Sequence, residues 1–301
     1  MIKTSQNLQG IAIISVLVVV ALISASVSIM YQRFTIDLKQ TQYTLSQAQS
    51  LNHLFSMEAW AKTILLDDNE MSDNLNELWA TSIAPIKIPG GSVFGRLLDL
   101  QSKLNLNNII DLESDIYTPQ YRSFFYDCMN RINTQLQQQA MGDTLFAYIS
   151  QKYPNPKSFD QISEIKNIQS INTNDYLKIK PFITALQDLT PINVNTASLE
   201  VLSCIHPQLS SSLAKKIIKK REQQAFSSID DFWSYLNLLF PHMTPEEIKE
   251  NMPAKYINTS SNYFLLKTEI IIGENKLIGS TILHRKDGKM NLKSRSYSHS
   301  L

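Results

Sequence analysis

An unbroken apolar run from Ile11 to Tyr31, IAIISVLVVVALISASVSIMY, limits this chain more than any other feature. At about 1.5 Å of rise per residue it makes a helix of about 31 Å, the thickness of a hydrocarbon core. Ten mostly polar residues precede it, with Lys3 as their one cation, and Arg33 is the first charge after it. An ordinary signal anchor and a secretory signal peptide both fit so far, and Ser24-Ala25-Ser26 offers small residues for a secretory peptidase. The run is longer than a usual signal-peptide core, however, and it continues without a turn signal. Leu38, Leu45, Leu51, Leu54, Phe55, Ile64 and Leu65 recur near helical spacing with no Pro or Gly between them. The spacing predicts one long helix to about Leu66; two helices with a break near residue 36 would give the same pattern.

Composition narrows the function classes. With 28 basic and 27 acidic residues the net charge is +1, so nothing global selects nucleic acid or an anionic membrane as partner. Eight glycines and 9% aromatics argue against a glycine-rich nucleotide fold. His53, His206, His242, His284 and His299 are scattered, without HExxH or G-x-S-x-G, which leaves an enzymatic reading little to stand on. Cys128 and Cys204 have no metal-ligand spacing. In an oxidising compartment they could form a bridge, whose loop of about 75 residues would contribute on the order of 4 kcal/mol. Two free core thiols suit the same apolar helix faces.

After the first helix the chain reads as a mixed succession of elements. Asp67 to Ser82 is an acidic loop followed by a short helix, and Pro89-Gly90-Gly91 marks a turn. Ser92 to Leu106 reads as a hairpin bent near Asp99 to Lys103. Phe124, Phe125, Cys128, Met129, Ile132 and Leu136 make an apolar stripe within a helical region from Pro119 to Tyr153, with a second helix over Gly142 to Lys152. Ser158 to Ile168 is a further short helix, and Asn174 to Leu189 an irregular stretch with one helical turn. Ile192-Asn193-Val194-Asn195-Thr196-Ala197-Ser198 opens a helix, capped at Thr196 or Ser198. With His206 to Ser210 as hairpin and Ser211 to Arg221 as second helix, this is the layout of a helix-hairpin-helix unit. Tyr263 to Ile272 and Lys276 to His284 flank Gly273-Glu274-Asn275 as a hairpin. The polar end, Lys286 to Leu301, is either disordered or a last edge strand.

Gln9-Gly10-Ile11 resembles the site at which prepilin peptidase cuts pilin-like proteins, leaving Ile11 as the new terminus. Pilin-like proteins usually carry Glu at the fifth mature position, but Ser15 stands there and the first acid is Asp37. The Gly95-Arg96-Leu97 to Leu104-Asn105-Leu106-Asn107 segment, the Ile192 to Ala197 motif and Ser261-Asn262-Tyr263-Phe264 follow in order. Together these features resemble the K subunit of type II secretion systems, a minor pseudopilin, over nearly the whole chain.

The resemblance implies an α+β fold: a long pilin-like N-terminal helix and an antiparallel sheet, interrupted by a large all-α domain with a helix-hairpin-helix (SAM-like) unit. The corresponding boundaries are a leader over 1–10, a transmembrane part over 11–31, a pilin-like core from 32–107 and 258–301, and the inserted domain over 108–257. It implies a single-pass protein of the inner membrane, N-terminus cytoplasmic and main domain periplasmic, that caps a pseudopilus tip together with the I and J minor pseudopilins. Small residues in the apolar helix (Ser15, Ala21, Ser24, Ala25, Ser26, Ser28) would permit close helix packing before extraction from the bilayer. Clustered oxygen ligands suit Ca²⁺, and some relatives bind it. The acids Asp111, Glu113 and Asp115 are candidates, with a solvated acidic surface as the simpler reading. A different class of function, a membrane-anchored DNA receptor of competence, would use Lys215, Lys216, Lys219 and Lys220 on the second helix of the hairpin unit. That hairpin, His206-Pro207-Gln208-Leu209-Ser210, lacks the glycine that lets backbone approach a phosphate, so no nucleic acid is expected.

Overall fold

The structure is a computed structural model that describes residues 4–68, 70–81, 84–109, 127–132, 144, 145, 147, 148, 158–169 and 171–300, with side chains from residue 12 onward. One helix, α1 (Thr4–Leu66), runs without a break through the apolar segment and the amphipathic one that follows. No proline or glycine interrupts it after Gly10, which is why the two stretches share one axis. Its C-terminal third buries Leu54, Met57, Ala61 and Leu65, three or four residues apart and therefore on one face.

That face lies on a five-stranded antiparallel sheet in the order β1 (Ile86–Ile88), β2 (Gly91–Asp99), β7 (Tyr263–Ile272), β8 (Asn275–Lys286), β9 (Lys289–Ser300). Strand β7 alternates as a half-buried strand should: Phe264, Leu266, Thr268, Ile270 and Ile272 are buried towards α1. Helix and sheet come close because glycines face α1. A Cβ on Gly279 would stand 2.8 Å from Leu54 Cδ1, and one on Gly95 would collide with Met57 Cε. The hairpin predicted over Ser92 to Leu106 does not form. Strand β2 pairs with β1 and β7, whereas β3 (Leu104–Asn105) crosses to β4 (Ile183–Thr184) in parallel. The alternation of apolar residues was real, but Leu104 and Leu106 bury in a different core.

Between β2 and β7 most of the buried apolar residues among those described gather in that second core, while Leu100 and Leu186 join Tyr263 in a small third cluster. The second unit contains α2 (Thr173–Ile179), α3 (Leu199–Cys204), α4 (Ser211–Gln223), α5 (Ile229–Leu239) and α6 (Pro245–Asn251), closed by parallel pairing of β5 (Ile192–Asn193) with β6 (Ile257–Asn258). Side-chain caps start the helices: Ser198 accepts from Val201 N, Ser210 from Leu213 N, Ser228 from Asp231 N, and Thr244 forms a capping box with Glu247. Phe226, Phe232, Leu236 and Phe240 fill the centre, against Ala214 and Ile217 of α4 and Leu202 of α3. Ser158 to Ile168 holds a 3-10 turn at Ile162–Asn167 in place of an α-helix. The polar C-terminus is β9, entered through a tight Asp287-Gly288 turn in which both residues take positive φ.

Candidate functional site

Two places in the chain carry the residues singled out from sequence. The first is the exposed length of α1. An 18-residue window there has mean hydropathy 2.7, and by length and composition the helix can cross a membrane. Gly10 and Ile11 lie on its first turns. Ser15 sits on its surface and donates from Oγ to the Ala12 carbonyl at 2.8 Å, bonding into its own helix. Ser26 does the same to Leu22 O at 2.9 Å. The helix therefore carries no anion until Asp37.

The second place is where the helical unit roots in the sheet, and there the Asn193-Asn195-Thr196 motif is buried. Asn193 Nδ2 donates to Asp73 O (3.0 Å), Ser261 Oγ (2.9 Å) and Asp99 Oδ2 (3.2 Å), while its Oδ1 accepts from Asn195 N at 2.9 Å. Asn195 pairs with the main chain of Phe226 as a strand would, accepting from its N at 3.0 Å and donating to its O at 2.9 Å. Thr196 Oγ1 donates to Asp99 Oδ2 through a short bond, and Ser261 Oγ adds another at 2.7 Å. Arg285 holds both Asp73 oxygens from NH1, at 3.0 and 3.1 Å, and its NH2 donates to Leu65 O at the end of α1, 2.9 Å away. Main-chain contacts run the same way: Asn193 N donates to Gln101 O at 2.8 Å. One junction thus joins α1, β2, β7 and β8 to the loop that opens α3.

Burial dominates the electrostatics of this junction. It pushes the Asp73 carboxyl up to about 7 against the pull of Arg285. It also raises Asp99, which the hydroxyls of Thr196 and Ser261, the Gln101 N–H and the Asn193 amide partly restore. Each carboxylate oxygen of Asp99 already meets a donor, so Asp99 fastens the segments that meet at this junction. A second cluster repeats the device. Asn107 pairs with the main chain of Phe159 in both directions (2.9 Å each), and Asn108 does so with Thr190 (3.0 and 2.7 Å). Asn105 adds bonds to Leu186 N at 2.9 Å and Thr190 Oγ1 at 3.0 Å. Ser261 stood in the Ser261-Asn262-Tyr263-Phe264 segment, whereas Asp73, Asp99 and Arg285 had no signal as partners of the motif, being ordinary polar residues far apart along the chain.

Cys128 and Cys204 are joined as a disulfide, their Cα atoms 4.4 Å apart, which ties residues 127–132 to α3. Arg131 beside it donates to Ser203 O and His206 O at the end of α3. The hairpin that follows uses its own donors, since Gln208 N bonds to His206 Nδ1 at 3.2 Å. Lys215, Lys216 and Lys219 are exposed on α4 opposite buried Ala214 and Ile217, and Lys220 caps Gln224 O at 3.3 Å. That pattern is a solvated helix face.

Asp111, Glu113 and Asp115 lie outside the described residues. The carboxylates that do gather are Asp68, Asp73 and Glu77, with oxygens within 4.8 Å of one another. Arg285 already supplies the positive charge to Asp73, and Glu77 accepts from Asn74 N (3.0 Å) and Trp79 Nε1 (2.6 Å).

Comparison with known proteins gives one kind of match. A family model described as type II secretion system (T2SS), protein K, matches residues 192–240, the stretch from the Asn193 motif to the end of α5. The type II secretion system protein K of Pseudomonas aeruginosa is 25% identical over 97% of this chain and 93% of its own length. That of Pectobacterium carotovorum is 21% identical over 96% of both. The structure of a K, I and J complex from the type 2 secretion system of enterotoxigenic Escherichia coli contains a chain of the same fold, with TM-score 0.67 and 20% identity, covering 87% of this chain and all of that one. Over nearly all of its length in sequence, and in fold, the chain is therefore similar to type II secretion system K proteins.

Proposed function

We propose that this chain is a minor pseudopilin that ends a periplasmic filament, supporting pseudopilus assembly and export across the outer membrane. The observation that carries the reading is Ser15. Pilin-like helices stack as an open, head-to-tail filament, in which the acid at the fifth mature position of one subunit answers the N-terminal amine of the subunit above. Ser15 has no charge to offer, and its hydroxyl is already bonded to Ala12 O at 2.8 Å. A subunit of this kind accepts nothing above it and so occupies the end, where the bulk of the helical unit adds steric blocking.

The same reading places Ile11–Tyr31 in the inner membrane with the N-terminus cytoplasmic and the folded units periplasmic. Prepilin peptidase would then cut after Gly10, and the partners would be I and J minor pseudopilins, with which the related Escherichia coli chain forms a complex. The disulfide suits an oxidising compartment. The junction built on Asn193 and Asn195 supplies stiffness in place of chemistry. Nothing in the hairpin unit favours a DNA receptor, since its backbone donors are used internally and it has no glycine.

N-terminal sequencing of the mature protein made in the presence of prepilin peptidase tests the processing step. Ile11 is the expected terminus; cleavage after Ala25, or none, would sink it. Ser15→Glu tests the tip. The variant should be found inside filaments, beneath other subunits, and unchanged restriction to the end would count against the charge argument.

A further inference from the structure

We infer that the outer edge of β9 is a docking strand for an extended, acidic segment of another protein. Strand order makes β9 the last strand of the sheet, and it is 12 residues long, whereas the opposite edge, β1, has 3. Among the described residues no strand pairs with its outer side, so a row of backbone donors and acceptors stays open over its length. A free edge of this length is the template used when a peptide adds to a sheet by main-chain pairing.

Side chains on either side of the edge suit that use. The register with β8 sets Arg295, Tyr297 and His299 opposite Thr281, Gly279 and Leu277, on the face that carries α1. The Arg295 guanidinium lies 4.8 Å over the Phe55 ring of α1. Phe55 and Tyr297 are 45% and 49% exposed, and they form an apolar shelf along the strand for alternate side chains of an incoming segment. His299 Nδ1 is buried there with no hydrogen-bond partner. On the opposite face Ser294, Ser296 and Ser298 pair with Ile282, Ser280 and Ile278 and present no bulk.

Charge selects the occupant. The strand carries Lys289 and Lys293 and no carboxylate, and its third cation, Arg295, is already paired with Glu58 of α1. A second copy pairing through the same edge would bring like charges together across the new ladder, which is unfavourable. A segment with carboxylates would be drawn in and held. This inference stands on the sheet edge alone and is independent of Ser15 and of the tip reading.

The full chain in detergent micelles, titrated with the synthetic peptide Ac-EVTVEVDVTE-amide, tests it, with a peptide carrying lysine at each acidic position as control. The acidic peptide should slow hydrogen exchange at the β9 amides and leave those of β1 unchanged. It should bind at least tenfold more tightly than the lysine peptide. Replacing Lys289→Glu and Lys293→Glu together, on exposed positions that leave the melting temperature unchanged, should weaken binding at least tenfold. Equal binding of both peptides, or no protection of β9, overturns the proposal. So does dimerisation that protects β9 without peptide, since the occupant would then be a second copy.

Discussion

Replacing Asn195 by Asp changes one atom type at constant volume, so it isolates what the buried amide contributes. Asn195 is 1% exposed and answers both main-chain groups of Phe226, at 3.0 and 2.9 Å. A carboxylate keeps the acceptor for Phe226 N but loses the donor to the Phe226 carbonyl, which retains only the Ser72 hydroxyl at 2.9 Å, at a cost of about 0.5–1.5 kcal/mol. It also turns an oxygen bearing negative charge towards that carbonyl in a buried site, which adds a further few kcal/mol. A total of about 4 kcal/mol is expected at pH 8. For a folded region of this size each kcal/mol moves the melting temperature by about 2–4 °C, so Asn195→Asp should melt about 8–16 °C lower. The loss carries a signature in pH. A protonated carboxyl donates as the amide did, so the Asn195→Asp variant should hold its new proton to a raised pKa and recover much of its stability at pH 5. Thermal unfolding of the full chain in micelles at pH 5 and 8, followed by circular dichroism, reads both quantities. A shift under about 2 °C at pH 8, or an equal loss at both pH values, would refute the claim that this amide acts as a strand.

Three further outcomes follow from the packing. Replacing Cys128 and Cys204 together by Ser should cost about 4 kcal/mol by freeing a loop whose ends lie 76 residues apart, measured as a fall in the denaturant midpoint against the unreduced protein. Burial pushes Glu58 up, but the Arg295 guanidinium and the Thr281 hydroxyl outweigh it and hold the carboxyl below its ordinary 4.5. The stability this gives is present above pH 4.5 and lost as the pH falls through the folded value, so Glu58→Gln should cost about 2 kcal/mol at pH 7, discounted for the partial exposure of Arg295, and progressively less as the pH falls below 4.5. Gly279→Ala would press a Cβ to 2.8 Å from Leu54 Cδ1 and closer still to Thr268 Oγ1, for a loss of about 1–3 kcal/mol in the same denaturation assay.

Local signals were legible wherever neighbours in sequence decide the conformation. The long helix, the cap at Ser198, the hairpin unit and the Tyr263 to His284 hairpin could all be read from periodicity and turn residues. The Asp287-Gly288 dipeptide was an equally local signal for β9, but polarity masked it: an edge strand that buries little needs few apolar residues. The stretch from Ser92 to Leu106 misled for the opposite reason. Its alternation fits a hairpin, yet the partner of β2 is β7, more than 160 residues later, and periodicity carries no information about which strand lies beside which.

The role of Asn193, Asn195 and Thr196 divides in the same way. Their order marked a motif, but its partners Asp73, Asp99, Ser261 and Arg285 come from four other segments. Only the folded chain brings them together, and only burial makes each unmet donor expensive enough for the arrangement to be specific. By itself the sequence determined the apolar anchor, the glycine before it and the absence of an acid at Ser15, because hydrophobicity and charge are properties of residues. Tertiary structure decided what the buried asparagines hold, whether the two cysteines close and which strand edge stays open, because those are properties of neighbours.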